Sequence, residues 1–248
     1  MAATETGVWG LQEVRDKILA SEWSYTGATE LWVQGNNGSG KLGLNQGPGN
    51  NFSSPKQLPG TNWGMGTQCT NTTLNVKTDG TMWAWGQNTA GQLGQNNRTT
   101  YSSPRQIAGT TWKTVDASAN HVIATKTDGT LWAWGYNNGG GLGQNNKTQY
   151  SSPVQIPGTT WSSDWGKLNA TGYSTTGAIK TDGTLWCWGT NYRGTLGQNN
   201  LTSYSSPKQV PGTTWNIYSN SYEGSYSIKT DGTLWTWGRN DYCANGVV

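Results

Sequence analysis

The stretch Thr127-Asp128-Gly129-Thr130-Leu131-Trp132-Ala133-Trp134-Gly135 decides the fold, because its second half returns along the whole chain. The other copies are Leu31-Trp32-Val33-Gln34-Gly35, Met82-Trp83-Ala84-Trp85-Gly86, Leu185-Trp186-Cys187-Trp188-Gly189 and Leu234-Trp235-Thr236-Trp237-Gly238. Successive copies start 51, 49, 54 and 49 residues apart. Self-similarity at such a period means stacked supersecondary units, with propellers and solenoids as the main architectures.

Inside one unit, Trp112–Ser118 and His121–Thr127 are short, partly β-branched runs. Asp128-Gly129 then separates two strand-like segments, a strong hairpin signal that predicts a type I′ turn with positive φ at both residues. The same pair recurs as Asp79-Gly80, Asp182-Gly183 and Asp231-Gly232, so these aspartates are read as turn formers. Along the following strand Leu131 and Ala133 face one way, Trp132 and Trp134 the other. Both faces are apolar, as in a blade packed between two neighbours. A glycine-rich loop over 135–143 follows, and Ser151-Ser152-Pro153-Val154-Gln155-Ile156 ends the unit, its proline suiting an outer edge. About four short strands per unit is the content of a propeller blade. The density of Gly, Trp and Asp-Gly turns excludes a helical repeat.

Composition agrees. The 248 residues are only 32% hydrophobic and 12% charged, with 36 Gly and 8 Pro, a profile close to that of disordered chains. The 16 Trp and 11 Tyr restore the missing core area. A net charge of +3, scattered along the chain, leaves no footprint for nucleic acid or a membrane surface. Cys69, Cys187 and Cys243 form neither a CxxC spacing nor an even set, so neither a disulfide framework nor a zinc site is expected. No segment approaches membrane-spanning length, and no apolar run follows basic residues at the N-terminus.

Trp83-Ala84-Trp85-Gly86-Gln87-Asn88, then Gly91-Gln92-Leu93-Gly94, then Pro104-Arg105-Gln106-Ile107 resembles the repeats of the regulator of chromosome condensation family, as do Gly194-Thr195-Leu196-Gly197 and Pro207-Lys208-Gln209-Val210. The resemblance covers roughly residues 23–240 and implies a β-propeller. Action on a small GTPase, which the founder-like members imply, ranks lowest among the functions considered, because the chain has five copies, regular loops and no basic tail. The expected architecture is therefore an all-β propeller of about five blades with incomplete terminal blades, over 23–248. Its closure has three readings: a ring with short ends, a ring sealed by a shared blade, or self-assembly through open edges.

Residues 1–22 form a separate segment, in which Leu11, Val14, Ile18 and Leu19 share one face at helical spacing. A short helix over 10–20 is expected there, capping the propeller or attaching it to a partner. Gly7-Val8-Trp9-Gly10-Leu11-Gln12-Glu13, followed by Trp23, resembles segments of structural proteins of tailed marine bacteriophages.

Several features imitate catalytic motifs. Gly35-Asn36-Asn37-Gly38-Ser39-Gly40-Lys41-Leu42 nearly spells a phosphate-binding loop, but Leu42 stands where Ser or Thr is needed, and in register it is the first Gly-x-Leu-Gly loop. His121 is the only histidine and reads as a packed or surface residue. The non-turn acids Asp116, Asp164, Glu223 and Asp241 suggest no carboxylate pair. No catalytic residue, metal or cofactor is expected.

One irregularity stands out: Trp161 to Lys180 spans 19 residues where the equivalent stretches span 14, and the insertion brings Trp165. An aromatic on an inserted loop of a rigid scaffold is a candidate binding residue. The leading functional expectation is a non-enzymatic structural or adhesion component at the surface of a tailed-phage virion, in contact with other virion proteins and a host surface polysaccharide, with homo-oligomerisation open. The alternative is a carbohydrate-binding lectin with one site per repeat, using the equivalent residues Asn96, Asn145 and Asn199.

Overall fold

The computed structural model describes residues 29–171, 174–221 and 223–239. The expected helix carrying Leu11, Val14, Ile18 and Leu19 and the boundary at residue 22 lie outside them. The described residues form five antiparallel sheets, each one blade of a β-propeller. Blade 1 pairs β1 (Leu31–Gly35) with β2 (Phe52–Leu58). Blade 2 comprises β3 (Trp63–Gln68), β4 (Thr72–Lys77), β5 (Met82–Gly86) and β6 (Tyr101–Ile107). Blade 3 comprises β7 (Trp112–Ala117), β8 (His121–Lys126), β9 (Leu131–Gly135) and β10 (Tyr150–Ile156). Blade 4 comprises β11 (Leu168–Thr171), β12 (Thr175–Ile179), β13 (Leu185–Gly189) and β14 (Tyr204–Gln209). Blade 5 has β15 (Trp215–Asn220), β16 (Gly224–Lys229) and β17 (Leu234–Gly238). The first strands of blades 2 to 5 pack against one another and are the inner strands, while β6, β10 and β14 form outer edges.

The core lies between blades rather than within them. Val122, Ala124 and Trp134 of blade 3 join Leu74, Met82, Leu93 and Ile107 of blade 2 in one buried cluster. From the opposite face, Ile123, Leu131 and Ala133 join Trp161, Ala170, Ala178 and Trp188 of blade 4 in another. The period-2 alternation of each strand therefore feeds two separate apolar layers. The outward faces at the ends of the series are uncovered: Leu234 is 63% and Trp32 55% exposed, whereas Leu131 and Leu185 are fully buried.

Neighbouring blades are fastened by the second tryptophan of the motif. Trp85 Nε1 donates to Lys41 O at 2.8 Å, and Trp134 to Gln92 O at 2.9 Å. Trp188 donates to Gly141 O at 2.8 Å and Trp237 to Thr195 O at 2.9 Å. Each bond reaches back into the Gly-x-Leu-Gly loop of the preceding blade. Such close approach needs glycine on the loop: a Cβ on Gly91 would lie 2.6 Å from Ser151 Cα, and one on Gly143 would lie 2.9 Å from Trp188 Nε1.

The Asp-Gly hairpins are present, with a different turn from the type I′ expected. Only the glycines have positive φ, for example 79° at Gly80 and 76° at Gly129. Gly80 N donates to Lys77 O, and Lys77 N to Thr81 O, which makes a three-residue loop with a type I turn and a left-handed glycine. Asp79 is occupied elsewhere: its Oδ1 accepts Thr81 N at 2.9 Å and Thr81 Oγ1 at 2.7 Å. Thr81 Oγ1 in turn receives Trp83 Nε1. The same set recurs at Asp128, Asp182 and Asp231, and these hydrogen bonds hold all four carboxyls below the usual carboxylate range.

Trp134 is fully buried and Trp32 largely exposed. Replacing Trp134 with Ala should cost about 4 kcal/mol of stability in urea denaturation. Trp32→Ala, at the first tryptophan position of the motif and on an exposed face, should cost less than about 1 kcal/mol.

Candidate functional site

The loops that carry the lectin candidates are organised by asparagines whose structural role the sequence reading did not single out. Asn88, Asn137 and Asn191 are completely buried two residues after each Trp-Gly. Asn88 Oδ1 accepts Leu93 N at 2.9 Å, while its Nδ2 donates to the carbonyls of Asn97 and Thr99. Asn137 and Asn191 repeat this pattern on Leu142 and Leu196. Their constant distance from Trp-Gly was the available signal.

Asn96, Asn145 and Asn199 stand at φ of 55°, 56° and 53°. The left-handed conformation, which Asn tolerates better than most residues, has a structural reason. Asn96 N donates to Ser151 O at 2.8 Å and Asn145 N to Ser205 O at 2.7 Å, both on the outer strand of the next blade. The side chains of all three remain exposed. Asn145 lines a groove of about 370 Å³ at the circumference between blades 3 and 4, with Gln144, Pro157, Lys180, Trp186 and Pro207. Lys180 lies over both Trp161 and Trp186, with Nζ 4.9 and 4.4 Å from their ring centroids. Lys77, Lys126 and Lys229 cover equivalent tryptophan pairs. Each of these four junctions thus places an ammonium over indole faces, and the one between blades 3 and 4 adds the amides of Gln144 and Asn145.

Trp165 sits elsewhere. Its indole is 73% exposed beside the inner strands, where it lines a cleft of about 350 Å³ and an adjoining groove of about 520 Å³ that runs towards Asp79 and Thr110. The inserted loop is pinned on both sides of Trp165. Thr114 of blade 3 donates its hydroxyl to Ser163 O, and Tyr218 N of blade 5 donates to Gly166 O at 3.0 Å. Ser162 and Asp164 cap each other within the loop. An exposed indole held by two neighbouring blades is pre-ordered for contact, which lowers the entropy cost of binding. The structure therefore brings Asn145 and Trp165 to two different surfaces, not to one site.

The catalytic imitations resolve into packing. The 35–42 stretch is the loop between β1 and β2, with Gly43 against Trp85 and Leu58 and no helix following. His121 is 1% exposed, its Nδ1 2.5 Å from Ser118 Oγ and its Nε2 3.1 Å from Thr176 Oγ1 of blade 4. Cys187 is buried on β13, and burial pushes its thiol up to about 12. Glu223 pairs with Arg239 at 2.5 Å. Among the described residues no group of three His, Cys, Asp or Glu side chains could hold a metal ion.

With this geometry in place, the repeats can be compared with known ones. The model described as the regulator of chromosome condensation (RCC1) repeat matches residues 79–125, 128–163 and 182–216, and a second model of that description matches 112–140. These are RCC1-type repeats. The RCC1-type propeller is similar to a crystal structure of Kap60 bound to yeast RCC1 (Prp20), at 18% identity and a TM-score of 0.73, covering 100% of this chain and 60% of that one. Prp20p from Saccharomyces cerevisiae, in a structure described with its binding properties to Gsp1p and histones, matches at 19% identity and TM-score 0.73, covering 91% and 56%. Human WBSCR16 matches at 19% identity and TM-score 0.70, covering 86% and 59%. At this identity the likeness carries the fold alone, and the chain spans about three fifths of these neighbours' length. No curated protein matches the sequence.

Burial of His121 lowers its pKa from 6.5 to about 4. The folded state therefore binds fewer protons than the unfolded state between those values. Its contribution is complete above pH 6.5 and is lost as pH falls towards 4, by roughly 3 kcal/mol. Denaturation midpoints measured from pH 7 to 4 should fall along this limb, and His121→Gln should flatten it.

Proposed function

We propose that this RCC1-type propeller is a non-enzymatic adhesion module of about five blades that reads carbohydrate at the grooves around its circumference. The observation that carries this reading is the groove at Asn145, where exposed amides, an ammonium and the edge of an indole converge beside Ser206 and Pro207. Sugars are held by such directional donors and acceptors set beside an aromatic side chain. Asn96 and Asn199 occupy the same backbone conformation on their own blades, which supports one site per junction. As a virion component of a tailed phage, the propeller would be the display head. Other virion proteins would engage residues 1–22 through Leu11, Val14, Ile18 and Leu19, and a host surface polysaccharide would occupy the rim. The likeness of 7–13 to phage structural segments supports that placement, and detection of the chain in purified particles tests it.

A second reading is favoured by a different observation, the doubly pinned Trp165. Large exposed tryptophans anchor protein interfaces, and the Prp20p structure is described with binding to a partner, Gsp1p. On this reading the propeller binds a protein, of the small-GTPase class, through the face that carries Trp165.

The test is a titration against an array of bacterial surface polysaccharides. Saturable binding at several sites per molecule is expected. The triple variant Asn96→Gly, Asn145→Gly, Asn199→Gly keeps the left-handed backbone and removes the amides, so it should weaken binding by about tenfold or more. Unchanged affinity in that variant removes the rim placement. A blank array, together with Trp165-dependent retention of a nucleotide-free small GTPase, favours the second reading.

A further inference from the structure

The cleft beside the inner strands has an acid at its wall that the fold leaves without a counter-charge. Asp116 on β7 accepts hydrogen bonds from Thr67 Oγ1 at 3.4 Å, Asn169 Nδ2 at 3.2 Å and Ala170 N at 2.9 Å. All three donors are neutral, and they come from blades 2 and 4. Among the described residues no lysine or arginine forms an ion pair with Asp116. The carboxylate is largely desolvated, and burial raises its pKa above the ordinary value. A desolvated acid with hydrogen bonds but no cation keeps a residual demand for positive charge.

The rest of the lining suits one class of ligand. Trp165, Tyr226 and Met65 border the same cleft and are 73%, 46% and 41% exposed. Indole and phenol faces attract cations through their ring quadrupoles, most strongly where water is excluded. Elsewhere in this protein the same pairing is already used, with a lysine ammonium over each rim tryptophan pair. At the rim the chain supplies its own cation, and among the described residues that line the axial cleft there is no lysine or arginine.

We propose that the axial cleft bordered by Asp116, Trp165 and Tyr226 is a binding site for an organic ammonium group, carried either by a small molecule or by a lysine side chain of a polypeptide. Thr67 and Asn169 position the carboxylate, and Trp165 on its pinned loop supplies the aromatic face. The site is independent of the rim grooves, since its residues come from the inner strands and the insertion.

Choline and its neutral isostere 3,3-dimethylbutan-1-ol, titrated calorimetrically into the full chain, test the proposal. Choline should saturate a single site, and the isostere should bind at least about tenfold more weakly, because only the charge differs. Trp165→Ala removes an exposed side chain and should weaken choline by about tenfold with an unchanged circular dichroism spectrum. Asp116→Asn keeps an acceptor for Ala170 N while deleting the charge, and should weaken it similarly. A lysine-containing peptide that competes with choline and binds more tightly identifies a polypeptide as the source of the cation. Equal affinity of peptide and choline identifies the ammonium group alone. Equal binding of choline and the isostere, choline affinity unchanged in Trp165→Ala, or no saturable binding of choline or the peptide overturns the proposal.

Discussion

Everything in this molecule depends on one bond type, the indole N–H of one blade given to a loop carbonyl of the blade before it. Four such bonds, all between 2.8 and 2.9 Å, hold the five blades in series. The indole is among the largest groups the chain can bury, and its single polar atom must find an acceptor inside. The Gly-x-Leu-Gly loop offers one carbonyl at the right depth, and its glycines allow the ring to come within contact of the backbone. Remove the donor and a buried carbonyl is orphaned while a cavity opens, so packing and polarity fail together. The low apolar content of the chain is tolerable because so few, so large side chains perform both tasks.

Much of this was legible in the sequence, for a physical reason. The repeat forces every local device to recur, and recurrence separates signal from accident. The two-sided apolar strand Leu131-Trp132-Ala133-Trp134 revealed a covered blade, and it feeds two apolar layers. The P-loop imitation at 35–42 was unmasked by Leu42 in the place of Ser or Thr and by its register with the Gly-x-Leu-Gly loops. The turn was misread because the Asp-Gly signal does not count the residues of the loop: the aspartate serves the following threonine instead of adopting positive φ itself. The role of buried Asn88 was missed because an amide in a Gly-Asn-rich loop looks like solvent-facing filler. Only its four directed hydrogen bonds show otherwise.

The sites were less legible than the scaffold, and the difference lies in sequence separation. Asn145 could be chosen from its repeat position, yet its groove is built with Lys180 and Pro207 from the next blade. Trp165 could be found as an insertion, but its neighbour Asp116 is 49 residues away and its other anchors lie on the far blade. Thr67, Asp116 and Asn169 hold the same position on the inner strands of blades 2, 3 and 4, opposite Leu74, Ile123 and Gly177, but no residue type recurs there to mark them. Symmetry makes a fold readable, and departures from symmetry, where recognition tends to reside, need coordinates.

One departure remains in the first copy of the motif, where Gln34 stands in the place of the latching tryptophan and is exposed. The latch is directional: blades 2 to 4 each send a loop forward and receive one on an indole. Blade 1 sends through Lys41 but has no indole with which to receive. The series therefore has a polarity, with a first member defined chemically by residue 34. Any surface that meets blade 1 from that side must be held by contacts other than an indole bond from residue 34.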